Sequence, residues 1–374
     1  MGIHRLPNWL VNGANAVGCA VLSAQSHVTG NPLRTADTTA VGLTLDRQSK
    51  RVLIVLVFFA VAPLSIFGAA KNRSAMPLPG YKAVRVHYGP MNKMIMSVRI
   101  NGQPANLLVD TGSNQLILDA ETAASFGIHT GSNQLNLDAE TAASFGIKPS
   151  QRGSRYIRFT EIQGQSLPVG LVQNISAGSM NFGSNPVALR NPMHSGTDAG
   201  RVDGVLGLDI LLRHKALINS RTKLVFFKVD QAQRISLGAV AASEKFTRVP
   251  IQREQTGALT VACSIRGQPM RLLVDTGAFV TILQEGFVKS LGLAAEPTRI
   301  SAQFGRGGSK RIMAAKTDLN IGAFKGRSEK FGVAPLPQFA LQQGSTKIAG
   351  ILGMDTLYIC HAIIDLDGMN LFVK

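Results

Sequence analysis

Three cysteines in 374 residues are too few for a disulfide framework. Their positions, Cys19, Cys263 and Cys360, have no spacing that would hold zinc. Cys263 and Cys360 read as buried thiols, with a bridge between them as the alternative in an oxidising compartment. Tryptophan is nearly missing, since the single residue, Trp9, precedes everything that reads as folded. Acidic residues are scarce, 22 against 39 Lys and Arg, which leaves a formal charge of +17. The basic residues are scattered. No basic stripe is interleaved with aromatics and no nucleic-acid motif is present, which argues against a nucleic-acid partner. A general attraction to anionic envelope polymers or a membrane surface is the milder consequence. His129, His194, His214 and His361 share no spacing with one another or with a Ser or Cys nucleophile, so no histidine-based triad is expected. The one glycine-rich run, Gly305 to Gly308, lacks the helix that a phosphate cradle would open. Neither a cofactor nor a metal is implied.

Long apolar runs are also rare. The clear one is 52–70, flanked by Arg47, Lys50 and Arg51 before it and by Lys71 and Arg73 after it. Basic flanks and the small residues Gly68-Ala69-Ala70 fit a signal peptide, and the length fits a membrane anchor equally. Either places the mature chain outside the cytoplasm, in the periplasm, secreted or membrane-anchored. Residues 1–50 read as a disordered leader or as sequence upstream of the true start. Without residues 1–70 the chain keeps 34 Lys and Arg against 20 Asp and Glu, a balance of +14.

What is present is a repeat. Val109-Asp110-Thr111-Gly112 and Val274-Asp275-Thr276-Gly277 are each preceded by Leu-Leu. Asn101-Gly102-Gln103-Pro104 and Arg266-Gly267-Gln268-Pro269 stand at matching distances before the two aspartates. Each reads as a strand, a Gly-Gln-Pro turn and a second strand that ends at the Asp. Further on, Gly204-Val205-Leu206-Gly207-Leu208-Asp209 matches Gly350-Ile351-Leu352-Gly353-Met354-Asp355. Asp209 and Asp355 read as structural, bonding backbone at the start of a short helix. The distance from Asp to the apolar-Gly run is 94 in the first half and 75 in the second. The excess of 19 is a tandem copy: residues 111–129 recur as 130–148, differing only at Ile117/Asn136 and His129/Lys148. The second copy is preceded by His129 instead of Asp, so it adds no third carboxylate turn. Ile117 suits a core strand and Asn136 a surface. Copy one is therefore expected in the native strand-helix place, with copy two looped out as extra helix; the reverse threading is the alternative.

Two carboxylates facing each other across a two-fold axis cannot both ionise easily, so such a pair holds a proton and can activate water. The combination of two Asp-Thr-Gly turns and two apolar-Gly runs at matched spacing resembles the retropepsin-like aspartic proteases. It is more closely similar to bacterial members with two such lobes in one chain, over roughly residues 80–374. The resemblance implies a mainly β fold. Its two closed retropepsin-like β lobes, 80–230 and 245–374, each carry a short helix and form an intramolecular pseudo-dimer. It implies an aspartic endopeptidase acting on a peptide or protein substrate, with Asp110 and Asp275 as catalytic residues. Thr111 and Thr276 would brace the turns across the interface, and Gly112 and Gly277 would let them approach. Val205-Leu206-Gly207 and Ile351-Leu352-Gly353 would support them from beneath. Ser113 and Ala278 follow the turns; a Ser113 hydroxyl near Asp110 would favour its charged form, with the proton on Asp275. Gly164 in lobe one and Gly305, Gly307 and Gly308 in lobe two are the flap candidates. The terminal strands Leu224–Lys228 and Leu371–Lys374 are expected to join the lobes within one monomer, with pairing between two chains as the competing arrangement. Two other function classes remain open: an inactive peptide-binding module, and an envelope structural protein that binds anionic polymer.

Overall fold

The computed structural model describes residues 23–24, 78–89, 92–128, 158–162, 165–190, 201–303, 310–336, 342–343 and 346–374. Most of the leader, the apolar run 52–70, the second copy 130–148, His129, His194 and the flap glycines Gly164, Gly305, Gly307 and Gly308 lie outside them. Everything described belongs to one compact unit. Among the described residues no helix is long and apolar enough to cross a membrane.

The fold is mainly β, in two lobes. In lobe one, six strands close into a ring: Met94–Ile100, Gln103–Val109, Gly204–Leu206, Ile117–Asp119, Met180–Arg190 and Gln165–Ala177. The last returns to the first through Arg99 opposite Ser176. Lobe two repeats the ring with Leu259–Ile265, Gln268–Val274, Thr346–Leu352, Ile282–Gln284, Phe324–Ala334 and Lys310–Ile321, closed by Ser264 opposite Asn320. Closing the sheet leaves each lobe without a free edge inside the ring.

Local sequence explains the first hairpin of each ring. Asn101 and Gly102 have φ of 50° and 85°, and Arg266 and Gly267 have 50° and 77°. Two successive positive values make the tight turn whose twist matches its flanking strands. The turn is thus Asn-Gly and Arg-Gly, and Gln103-Pro104 and Gln268-Pro269 already belong to the second strand. That is one step earlier than the Gly-Gln-Pro turn expected, because Gly alone there takes positive φ freely while proline cannot.

A third sheet joins the lobes, in the order Tyr81–Arg85, Leu224–Lys228, Leu217–Asn219, Ile363–Asp365, Asn370–Val373, Thr247–Arg253. Its centre is the antiparallel pairing of Ile218 with Ile364. The lobes therefore do pair within one chain, but not through the terminal strands as expected. Leu224–Lys228 already has Tyr81–Arg85 on its outer side and Asn370–Val373 has Thr247–Arg253, so the preceding strands meet at the axis. Val84, Phe227, Ile218, Ile364 and Leu371 are buried in one apolar core that runs from lobe to lobe. Each such side chain contributes about 1.5–3 kcal/mol on burial. Asp367 adds an ionic tie between the lobes, accepting from Lys228 at 2.6 Å and lying 3.0 Å from Lys215.

Candidate active site

Strands Gln103–Val109 and Gln268–Val274 have buried apolar ends, so each delivers its aspartate to a fixed point. The apolar-Gly strand runs parallel beside it, Leu206 opposite Val109 and Leu352 opposite Val274. Each then anchors the aspartate itself: Asp110 N donates to Leu206 O and Asp275 N to Leu352 O, both at 3.1 Å. Gly204 and Gly350 are required here, because a Cβ on either would collide with the carbonyl of Ile117 or Ile282. The expected support from beneath is what the geometry displays.

The turns lock to each other. Thr111 N donates to Thr276 Oγ1 and Thr276 N to Thr111 Oγ1, both at 3.0 Å. In return Thr111 Oγ1 donates to Val274 O at 2.7 Å and Thr276 Oγ1 to Val109 O at 2.8 Å. Four buried bonds tie the two lobes at this point, and none can form within a single lobe.

The same closeness brings the carboxylates together. Asp110 and Asp275 are both buried, and each carboxylate lies against the glycine of the other's turn. Gly112 N donates to Asp110 Oδ1 at 2.7 Å. Gly277 N and Ala278 N donate to Asp275 Oδ1 at 2.8 and 3.0 Å. Burial and then the charge of Asp110 push Asp275 well above the usual carboxylate range, against the pull of those two N–H groups. The pair therefore retains a proton where isolated carboxylates would have lost theirs.

Ser113 is different from expectation. Its hydroxyl donates to Gln115 O at 3.0 Å, so its proton is directed at the backbone and not at Asp110. The charge asymmetry of the pair cannot be assigned to that hydroxyl. Ala278, the lobe-two counterpart, has no group to offer and packs in the apolar cluster of its lobe.

Asp209 and Asp355 are structural, as read. Asp209 Oδ2 accepts from Leu116 N at 3.0 Å. Asp355 Oδ1 accepts from Thr281 N at 2.8 Å and Thr281 Oγ1 at 2.7 Å. Each thus fixes the chain just after a catalytic-type turn, and burial raises both to about 6. His214, packed against Phe182 and Phe227, is half-buried, and burial lowers its pKa to about 4. Its counterpart Cys360 is a buried free thiol, as is Cys263.

Three residues had no place in the sequence reading. Thr281 braces Asp355 and accepts from Gly353 N at 3.0 Å. Asn114 Nδ2 donates across the lobe boundary to Thr256 O at 2.8 Å. Lys93 is buried. Their repeat partners are Leu116, Phe279 and Ala258, so a residue-by-residue comparison of the halves would have marked all three as mismatches.

Among solved structures, the chain is similar to basic 7S globulin from soybean at 10% identity, covering 80% of this chain and 95% of that one with a TM-score of 0.42. It is similar also to conglutin gamma from lupine seeds at 9% identity, covering 79% and 95% with a TM-score of 0.43. No curated protein matches it in sequence. The aspartyl protease family model matches residues 96–210 and 261–356, one block in each lobe and together more than half of the chain. With one Asp-Thr-Gly turn inside each matched block, the chain belongs to the aspartyl protease family.

Proposed function

We propose that the protein is an aspartic endopeptidase whose water is activated by Asp110 and Asp275, one from each lobe. The observation that carries this reading is the pair of buried carboxylates, one from each lobe, each lying against the glycine of the other's turn. In the active form the pair holds one proton, which the shift of Asp275 supports assigning to that residue. The Asp110 carboxylate takes a proton from water as the water oxygen bonds to the peptide carbonyl carbon. Asp275 gives its proton to the carbonyl oxygen, forming a neutral tetrahedral gem-diol. Collapse re-forms the carbonyl, breaks the C–N bond and passes a proton from Asp110 to the leaving nitrogen. A hydroxyl proton returns to Asp275, and the pair is restored.

The test is cleavage of an unfolded protein by the full chain between pH 4 and 7 with pepstatin as inhibitor. Cleavage should be pepstatin-sensitive and fall by about 10⁴ or more in Asp110→Asn. Peptide binding without turnover, unchanged by that substitution, would instead identify an inactive peptide-binding module.

We further infer an extracytoplasmic location, supported by the apolar run 52–70 and its basic flanks. Since one chain supplies both turns, a monomer suffices. Cell fractionation with N-terminal sequencing, and light scattering, test these two points.

A further inference from the structure

We propose that Lys93 is a specificity residue that binds a side-chain carboxylate of the peptide substrate beside the Asp110 turn. This rests on the peptide-cleaving reading above and adds a substrate class to it.

Lys93 is only 4% exposed, yet it pairs with no carboxylate among the described residues. Burial alone moves its ammonium, down to about 8, with no neighbouring charge contributing. An unpaired buried cation is costly to keep, and an anionic ligand bonded to it would offset that cost.

The repeat supplies the location. Gly89 N donates to Lys93 O at 2.9 Å, and lobe two repeats this with Glu254 N to Ala258 O at 2.8 Å. The lobe-two turn reaches the opposite lobe at the site, where Asn114 Nδ2 bonds Thr256 O. Its last residue, Ala258, packs against the cluster that contains Ala278, Phe279 and Val280, on the shoulder of the Asp275 turn. In the repeat, Lys93 takes the position of Ala258, and Ser113, Asn114 and Gln115 take those of Ala278, Phe279 and Val280, which assigns Lys93 to the shoulder of the Asp110 turn. One lobe thus carries a methyl group at the position where the other carries an ammonium. The positive balance, +17 for the whole chain and +14 without residues 1–70, favours encounter with acidic peptides in general.

The experiment uses full-length Asp110→Asn, which holds peptides without cutting them. Fluorescence anisotropy compares a labelled, end-capped, otherwise neutral decapeptide carrying a central Asp with its Asn counterpart, the Asp being moved stepwise along the peptide. At one register the Asp peptide should bind about tenfold more tightly, as a charge-assisted bond lost to an unpaired site implies. Adding Lys93→Met should erase the difference and leave the Asn peptide unaffected, while Lys93→Arg should keep it. Thermal melting separates misfolding from lost recognition: with an unpaired ammonium removed, the Tm of Lys93→Met should not fall. Equal binding of both peptides at every register, or discrimination that survives Lys93→Met, overturns this inference alone. Failure of every peptide to bind overturns it together with the peptidase reading.

Discussion

Gly112 and Asp275 come from different lobes, and a Cβ on Gly112 would lie 2.6 Å from Asp275 Oδ1. The reciprocal contact holds between Gly277 and Asp110, again at 2.6 Å from Oδ1. Each turn therefore supplies one carboxylate and the empty space that the other carboxylate fills. The motif's glycine is set by this reciprocity; neither Gly112 nor Gly277 has positive φ.

Gly112→Ala and Gly277→Ala should each separate the turns. The methyl meets a carboxylate on a buried, backbone-fixed element, so neither side can yield cheaply. Overpacking of this kind costs about 1–3 kcal/mol of stability. The loss of proteolysis should be larger, about 10²-fold or more, because a displacement of about 1 Å at reacting groups has that effect. Urea unfolding and kcat/KM on one peptide measure the two losses, and a Gly112→Ala enzyme of normal activity would sink the account.

Activity should extend above the ordinary carboxylate range. The working pair needs one proton, and burial together with Asp110 keeps it on Asp275 beyond pH 3.8, the value of a free Asp. The alkaline limb of kcat/KM should lie clearly above that point. Ser113→Ala should leave the limb where it is, since the hydroxyl bonds Gln115 O. A limb moved by that substitution would mean that the hydroxyl turns toward Asp110 in the working enzyme.

Asp209 and Asp355 predict a pH dependence of stability with a definite sign. Both are pushed from 3.8 to about 6 by burial, so between those values the folded state holds protons that the unfolded state has released. Stability is then fullest below about pH 4 for these two groups and declines as pH rises through about 6. Asp355→Asn should remove its part of that slope at little cost, because the bonds from Thr281 N, Thr281 Oγ1 and Thr356 N all end on Oδ1. Asp209→Asn should be worse by about 1–3 kcal/mol, the cost of one orphaned buried donor. Its two oxygens accept separately, Oδ1 from Ile210 N and Oδ2 from Leu116 N, and an amide offers only one acceptor. Denaturant melts of both variants at pH 4 and pH 7 decide this; equal effects would refute the assignment of the bonds.

The matching halves made the two lobes, their hairpins, the aspartate pair and the bracing threonines legible, because each is set by a short local pattern that occurs twice. Three features were not legible for physical reasons. Ser113 has an acceptor nearer in sequence than Asp110, and only the turn geometry shows which one its proton takes. The lobes join through Leu217–Asn219 and Ile363–Asp365 because Tyr81–Arg85 and Thr247–Arg253 occupy the outer edges, a matter of long-range pairing. Lys93 reads as an ordinary surface lysine until its burial is known.

The tandem copies allow a direct test of which one the fold uses. Copy one forms the strand Ile117–Asp119 and the helix Ala120–Ser125, with Ile117 buried opposite Val205 and Ala188. Lobe two has the same pair, Ile282–Gln284 and Glu285–Ser290, and ends its helix alike, with Gly127 at φ 68° and Gly292 at 63°. Deleting 130–148 should therefore leave a complete lobe that melts within a few degrees of the full chain and keeps its activity. Deleting 111–129 instead also restores an Asp-Thr-Gly turn, and the product differs only by Asn for Ile at position 117 and Lys for His at 129. That Asn would sit between two strands in the core of the lobe, where an unpaired amide costs about 1–3 kcal/mol on top of the lost apolar burial. The second deletion should thus be less stable than the first by about 2–5 kcal/mol. Equal stability of the two deletions, measured in the same urea series, would mean that position 117 is not the core site that its neighbours make it.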